Sequence, residues 1–163
     1  MTPSATATTG KTTFTTPSDR ELVATRTFDA PRDRLWKAHT DPRHVKQWMT
    51  GPDGHSMPTA EIDLRPGGRW HFVWRQPDGQ PMEMDGEYKE IVPNERLVNT
   101  ERWAGFPETL VTTTFVEKNG TTTLAVNVRY PSKEAREKAI GTGMKEGWSA
   151  SYDHLDSYLR EMK

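Results

Sequence analysis

Cysteine is absent from this chain. That excludes disulfides, thiolate metal sites and cysteine nucleophiles, and it fits a reducing compartment. No apolar run approaches the roughly 20 residues that a membrane-spanning helix needs, so membrane insertion is not expected. A basic segment followed by an apolar one is also missing at the N-terminus, which makes cytoplasmic the expected location. Basic residues are not in excess: 22 Lys and Arg stand against 23 Asp and Glu, for a net charge of −1. A dedicated nucleic-acid binder would carry a basic surplus, so no nucleic-acid partner is expected. Apolar content is low as well, with a mean hydropathy of −0.87. Six Trp, seven Met, five Phe and four Tyr compensate among the 163 residues. Burial therefore leans on large side chains, each contributing about 1.5–3 kcal/mol when removed from water.

Residues 1–19 hold Thr, Ser, Ala, Gly and Pro with Phe14 as the single large apolar side chain. Such a segment buries too little surface to offset its ordering entropy and reads as a disordered tail. Residues 20–163 read as one domain. A β-branched stretch over 21–28 predicts a strand, and Pro31 opens a short helix through Leu35, Trp36 and Ala38. Asp41 then caps a second short helix with Pro42 at its first position. Residues 50–58 are a loop on turn chemistry. Strands follow over 60–65, 69–75, 82–92, 96–103, 109–118 and 121–130, separated by Pro, Gly and Asn turns, with Asn119-Gly120 the strongest hairpin signal. Ser132 caps a final helix whose apolar stripe runs Ile140, Met144, Trp148, Tyr152, Leu155, Leu159, Met162, helical periodicity over nearly thirty residues. Gly141, Gly143 and Gly147 inside it point to close approach to the sheet, room for a ligand, or a bend.

Alternation gives the sheet one apolar face. Trp70, Phe72 and Trp74 share it. Met82, Met84, Gly86 and Tyr88 are in phase, as are Val111, Thr113 and Phe115. A concave sheet crossed by one helix encloses a cavity, and its candidate ligand-binding lining is Trp48, Trp70, Phe72, Trp74, Met82, Met84, Met144, Trp148 and Tyr152. Asn99 and Glu101 share a phase with Leu97 and Trp103 and are the candidate polar groups of the pocket. An edge or solvent-facing pair is the alternative for them, and ordinary core packing is the alternative for the apolar set.

Other features carry less chemistry. Arg65, Arg69 and Arg75 around the Gly67-Gly68 bend would either capture an anionic group or pair with Glu83, Asp85 and Glu87. Gly67-Gly68 is not a phosphate loop, because no Lys-Ser/Thr follows and a strand comes next. The five His are scattered without a zinc spacing, so no metal site is expected. His71 is out of phase with Trp70 and Phe72 and is expected to face away from them. Ser56 is not in a nucleophile elbow. No catalytic residue is assigned.

Several motifs recur as a set: Leu64-Arg65-Pro66-Gly67-Gly68-Arg69-Trp70, Pro77-Asp78-Gly79, Gly86-Glu87-Tyr88, Glu95-Arg96-Leu97-Val98, Asp41-Pro42 with Trp48, and Gly147-Trp148 with Leu155. They resemble the SRPBCC superfamily, also called START-like or birch-pollen-allergen-like. Within it they resemble the branch named after the C-terminal domain of the activator of the ninety-kilodalton heat-shock protein ATPase. The resemblance implies an α+β helix-grip fold, β-α-α-β6-α, in which a curved antiparallel sheet of about seven strands wraps a long C-terminal helix. It implies much less about activity; the cavity lining itself points to binding of a hydrophobic or amphipathic small molecule, a lipid or an aromatic metabolite, with neither catalysis nor cofactor expected. The alternatives are a chaperone cofactor tied to the stress response, and a cyclase or hydrolase using the same cavity. Monomer and homodimer are both compatible with the sequence.

Overall fold

The computed structural model describes residues 11–162. Eight strands make one antiparallel sheet: β1 (Thr13–Thr15), β2 (Glu21–Phe28), β3 (Ser56–Ile62), β4 (Arg69–Arg75), β5 (Pro81–Val92), β6 (Arg96–Trp103), β7 (Thr109–Lys118) and β8 (Thr121–Arg129). Their spatial order is β1-β2-β8-β7-β6-β5-β4-β3. Helices α1 (Arg32–Thr40) and α2 (Pro42–Trp48) lie between β2 and β3, and α3 (Lys133–Ile140) and α4 (Met144–Glu161) follow β8. The sheet is open and curved around the C-terminal helix, the expected helix-grip arrangement. Irregular register between β3 and β4 and between β5 and β6 marks where strands bend.

Local chemistry sets the elements. The Asp41 carboxylate accepts from the Arg43 amide at 2.9 Å and starts α2, with Pro42 at the first position as expected. Trp70, Phe72 and Trp74 of β4 lie opposite Gly86, Met84 and Met82 of β5, so the period-2 pattern carries both strands' large side chains to the concave face. The dense core forms where α1, α2 and α4 meet β2, β7 and β8. Leu22, Phe28, Leu35, Val45, Trp48, Phe115, Leu124 and Leu155 are all but fully buried there.

Three expectations need correction. The C-terminal helix is two helices: Gly143 sits at φ 86°, a left-handed conformation that a side chain resists. The bend is therefore what the glycines at 141 and 143 make. The apolar stripe looks continuous because Ile140 and Met144 flank the break and both pack on the core. Secondly, β3 starts at Ser56, inside the expected loop. Pro58 is tolerated because β3 is an edge strand, where a missing N–H leaves no ladder bond unmade. Thirdly, the expected tail is built into the fold over part of its length. Residues 1–10 lie outside the described residues, but Thr13–Thr15 pairs with β2 as an eighth strand. Phe14 anchors it, meeting Trp148 edge-on at 5.7 Å.

Candidate functional site

A cavity of about 630 Å³ lies between the concave face and α3–α4. All twelve residues singled out from the sequence lie on its wall. On β4, Trp70, Phe72 and Trp74 form a ladder with successive ring centroids 4.8 and 6.0 Å apart. The Trp74 indole donates to the Met49 carbonyl at 2.7 Å, which ties the end of α2 to β4. Met82 and Met84 of β5 lie across from Trp74 and Phe72, and Trp103 of β6 is paired to Met84. Trp103 stacks face to face on Phe106 at 4.5 Å. From the helices come Met144, Trp148 and Tyr152, the last two edge to face at 6.2 Å. Trp48 is buried and held by its own indole N–H to the Ala38 carbonyl, 2.8 Å away.

The rim is formed by the chain after α2, by the α3–α4 turn and by the loop between β6 and β7. Thr50, Gly51, Pro52 and His55 contribute from the first, Thr142, Gly143, Glu146 and Gly147 from the second, and Phe106 and Pro107 from the third. Two bonds fasten the first segment to α4. The Gly51 amide donates to Ser151 Oγ at 2.8 Å, and Thr50 Oγ1 lies 3.0 Å from His154 Nδ1. Lys138 of α3 donates to the Gly105 carbonyl at 3.2 Å and lies over the Phe106 ring. The mouth is thus pinned on both sides by short polar links.

The wall's polar groups are few, and their partners differ. Asn99 donates to the neighbouring Thr100 carbonyl at 3.0 Å. Tyr130 donates to Met144 Sδ at 3.6 Å. The Glu101 carboxyl has no hydrogen bond or ion pair with any other described side chain; only its backbone carbonyl is used, accepting from Thr109 Oγ1. It is partly accessible on the cavity wall, where the surrounding protein solvates a charge less well than bulk water does. Desolvation pushes its pKa up to about 7. Tyr130 feels that carboxylate, and burial together with this charge raises the phenol to about 12.

The sequence counts His39 only among five scattered histidines and not in the pocket, although its spacing of four from Leu35 puts both on one face of α1. It lies on the cavity wall, against Trp48 and Phe115. Nδ1 is 2.8 Å from the Leu35 carbonyl and must donate to it, which leaves Nε2 as a buried acceptor with no partner among the described residues. Burial drives its pKa down to about 4. His39 and Glu101 sit toward opposite ends of the cavity. Glu101 pairs with Thr109 whereas His39 packs on Phe115, six residues further along β7 and about 20 Å away.

The groups around the Gly67-Gly68 bend lie elsewhere. Arg65 pairs with Asp63 at 2.9 Å and Arg69 with Asp85 at 3.7 Å, both exposed. His71 is on the outer face, 3.0 Å from Glu61 and 2.7 Å from Glu83, and these two hydrogen bonds raise its pKa. Among the described residues, no group of three or more His, Asp or Glu is placed to hold a metal ion. No helix among them is long and apolar enough to cross a membrane.

A curved antiparallel sheet closed by a C-terminal helix over an internal cavity defines a helix-grip protein of the SRPBCC type. The chain belongs to the family of Activator of Hsp90 ATPase homolog 1-like proteins, whose profile matches residues 29–160. It is similar to the human Activator of 90 kDa heat shock protein ATPase homolog 1, 27% identical over 135 residues, which are 81% of this chain and 34% of that protein. The chain thus spans about a third of that relative's length. Among solved structures, one from Rhodobacter sphaeroides superposes with a TM-score of 0.87 at 29% identity, covering 94% of this chain and all of that one. Another, from Mycobacterium smegmatis, gives 0.83 at 27% identity and covers 91% and 97% of the two chains.

Proposed function

We propose that this protein binds a hydrophobic or amphipathic small molecule between the sheet and α4, without transforming it. The supporting observation is the cavity of about 630 Å³, walled chiefly by aromatic and methionine side chains. That volume lies within the range of sites that enclose a drug-sized ligand, and a mostly apolar wall with a few placed polar groups is what such sites have. Trp70, Phe72, Trp74, Met82, Met84 and Trp148 supply apolar area, and Asn99, Glu101 and Trp103 orient what binds. Acid–base chemistry gains little support. Glu101 and His39, the wall groups with large shifts in the titrating range, are too far apart to act on one bond.

Native mass spectrometry of freshly purified protein, set beside a denatured sample, tests the reading. A co-purifying small molecule is expected, and Trp148→Ala is expected to weaken its retention. An empty protein with no thermal shift across lipids and aromatic metabolites would end the carrier reading.

One observation favours a second reading: the 27% identity to the human activator. On that reading the chain stimulates a chaperone ATPase through its outer surface. Adding it to a purified ninety-kilodalton heat-shock ATPase should then raise turnover, with or without a ligand filling the cavity.

A further inference from the structure

The cavity wall is unequal in charge. Glu101 and Glu146 contribute carboxyl groups, and among the described residues no Lys or Arg lines the wall. Two cations lie behind it: Arg136 bonds to Glu137 and to the Ser18 carbonyl and its charge reaches Tyr130, and Lys138 lies over the Phe106 ring. A fatty acid or other anion entering here would meet a carboxyl and no guanidinium or ammonium. Two acceptors on the wall, the Glu101 carboxylate and His39 Nε2, have no hydrogen-bond partner among the described residues. An occupant that pairs with the ionised Glu101 must donate.

We propose, resting on the cavity-binding reading, that the ligand is an amphipathic amine whose ammonium group pairs with Glu101 while its apolar body lies along the tryptophan ladder of β4. The geometry around Glu101 fits a cation. Trp103 lies two residues along the same strand on the same face and is stacked on Phe106, and Tyr130 is close enough to feel the carboxylate. Aromatic faces are electron-rich and attract a desolvated cation beside the carboxylate. Further in, Phe72, Met82 and Met84 offer apolar contact, suited to an alkyl or aryl-alkyl chain. Ionising an unpaired carboxyl in an apolar wall is unfavourable, and a bound ammonium offsets that cost.

The test uses three probes on one skeleton: 4-phenylbutylamine, 4-phenylbutanol and 4-phenylbutyrate, titrated into the full chain at pH 8 by calorimetry. The amine is expected to bind at least tenfold more tightly than the alcohol, and the carboxylate more weakly than both. In Glu101→Gln the amine-to-alcohol ratio should fall to within about threefold, the variant's fold being checked by near-ultraviolet circular dichroism. Glu61→Gln removes the same charge from the outer face and should keep the tenfold ratio. Equal affinities, a tighter carboxylate, or a ratio unchanged in Glu101→Gln would overturn the amine proposal and leave the cavity reading standing. If no probe binds at millimolar concentration, the cavity reading falls with it.

Discussion

The indole N–H of Trp70 donates to the Thr100 carbonyl at 3.2 Å, reaching from β4 to β6 across the intervening strand. It crosses at Gly86 of β5, where an added Cβ would come 2.5 Å from the indole nitrogen and 1.9 Å from the Thr100 oxygen. Glycine is required there by close approach rather than by its torsion angles. Gly86→Ala should destabilise the fold by about 3 kcal/mol, the upper range of overpacking. Trp70→Phe removes only the hydrogen bond and some area and should cost about 1–2 kcal/mol. Urea titrations with unchanged slopes would check both values.

Arg26 of β2 points inward, almost wholly buried, and meets Asp153 of α4 at 2.8 Å and Asp156 at 3.9 Å. Its Nε has no partner among the described residues. The pair fastens α4 to the sheet beside Tyr152 and Phe28, whose rings meet edge-on at 5.6 Å. Asp153→Ala strips a buried guanidinium of its closest carboxylate, leaving Thr12 Oγ1 at 3.2 Å, and should cost about 1–3 kcal/mol. Arg26→Met removes the buried charge and leaves the exposed Asp153 free to be solvated, so its cost should be smaller than that of Asp153→Ala. Thermal unfolding of the two variants would give the order.

The cavity wall was legible because strands and helices repeat. Trp70, Phe72 and Trp74 alternate, and Met144, Trp148 and Tyr152 recur every four residues, so one face could be read as a unit. Glu101 could be found because it shares phase with Leu97 and Trp103. His39 was hidden: a lone histidine on a short helix carries no period of its own, and what matters about it, a buried Nε2 without a donor, depends on Phe115 and Trp48 from other elements. Arg26 was hidden in the opposite way, a charged residue at an inward position whose partners lie over 120 residues away on α4. The strand at Thr13–Thr15 was missed because its composition is that of a tail; its order comes from pairing with β2 and from Phe14 meeting Trp148.

His39 and Glu101 have opposite effects on stability against pH. The folded state holds His39 neutral down to about 4, against an ordinary 6.5. The unfolded chain takes up that proton first, so this contribution is lost as pH falls through 6.5 to 4. Glu101 keeps its proton up to about 7, against 4.5. The unfolded chain releases that proton earlier, so this contribution is lost as pH rises from 4.5 to 7. Between 4.5 and 6.5 the two slopes cancel. Relative to the parent, Glu101→Gln should therefore gain stability with rising pH across that window, by up to about 1.4 kcal/mol per unit. His39→Gln should lose stability with rising pH at a similar rate. Denaturant midpoints at half-unit intervals would reveal the two slopes, and parallel curves for parent and variants would refute the pairing.

The amine proposal makes its own demand on pH. An alkylammonium stays protonated well above neutrality, as lysine does. Its affinity then follows the ionised fraction of Glu101. Around that carboxyl, Trp103 and Thr109 carry no ionisable group, Tyr130 is raised to about 12, and the guanidinium of Arg136, whose charge also reaches Tyr130, is bonded to Glu137. Elsewhere on the wall Glu146 and His55 lie at the rim, and His39 is held neutral above about 4. With Glu101 titrating near 7, 4-phenylbutylamine should bind about tenfold more tightly at pH 8 than at pH 6. At pH 7 each binding event should also release a proton in part of the molecules, because the ammonium draws Glu101 into its ionised form. Calorimetry in two buffers of different ionisation enthalpy would measure that release. The alcohol should show neither the pH dependence nor the proton release. An amine affinity flat from pH 6 to 8 would mean that its charge is met somewhere other than Glu101.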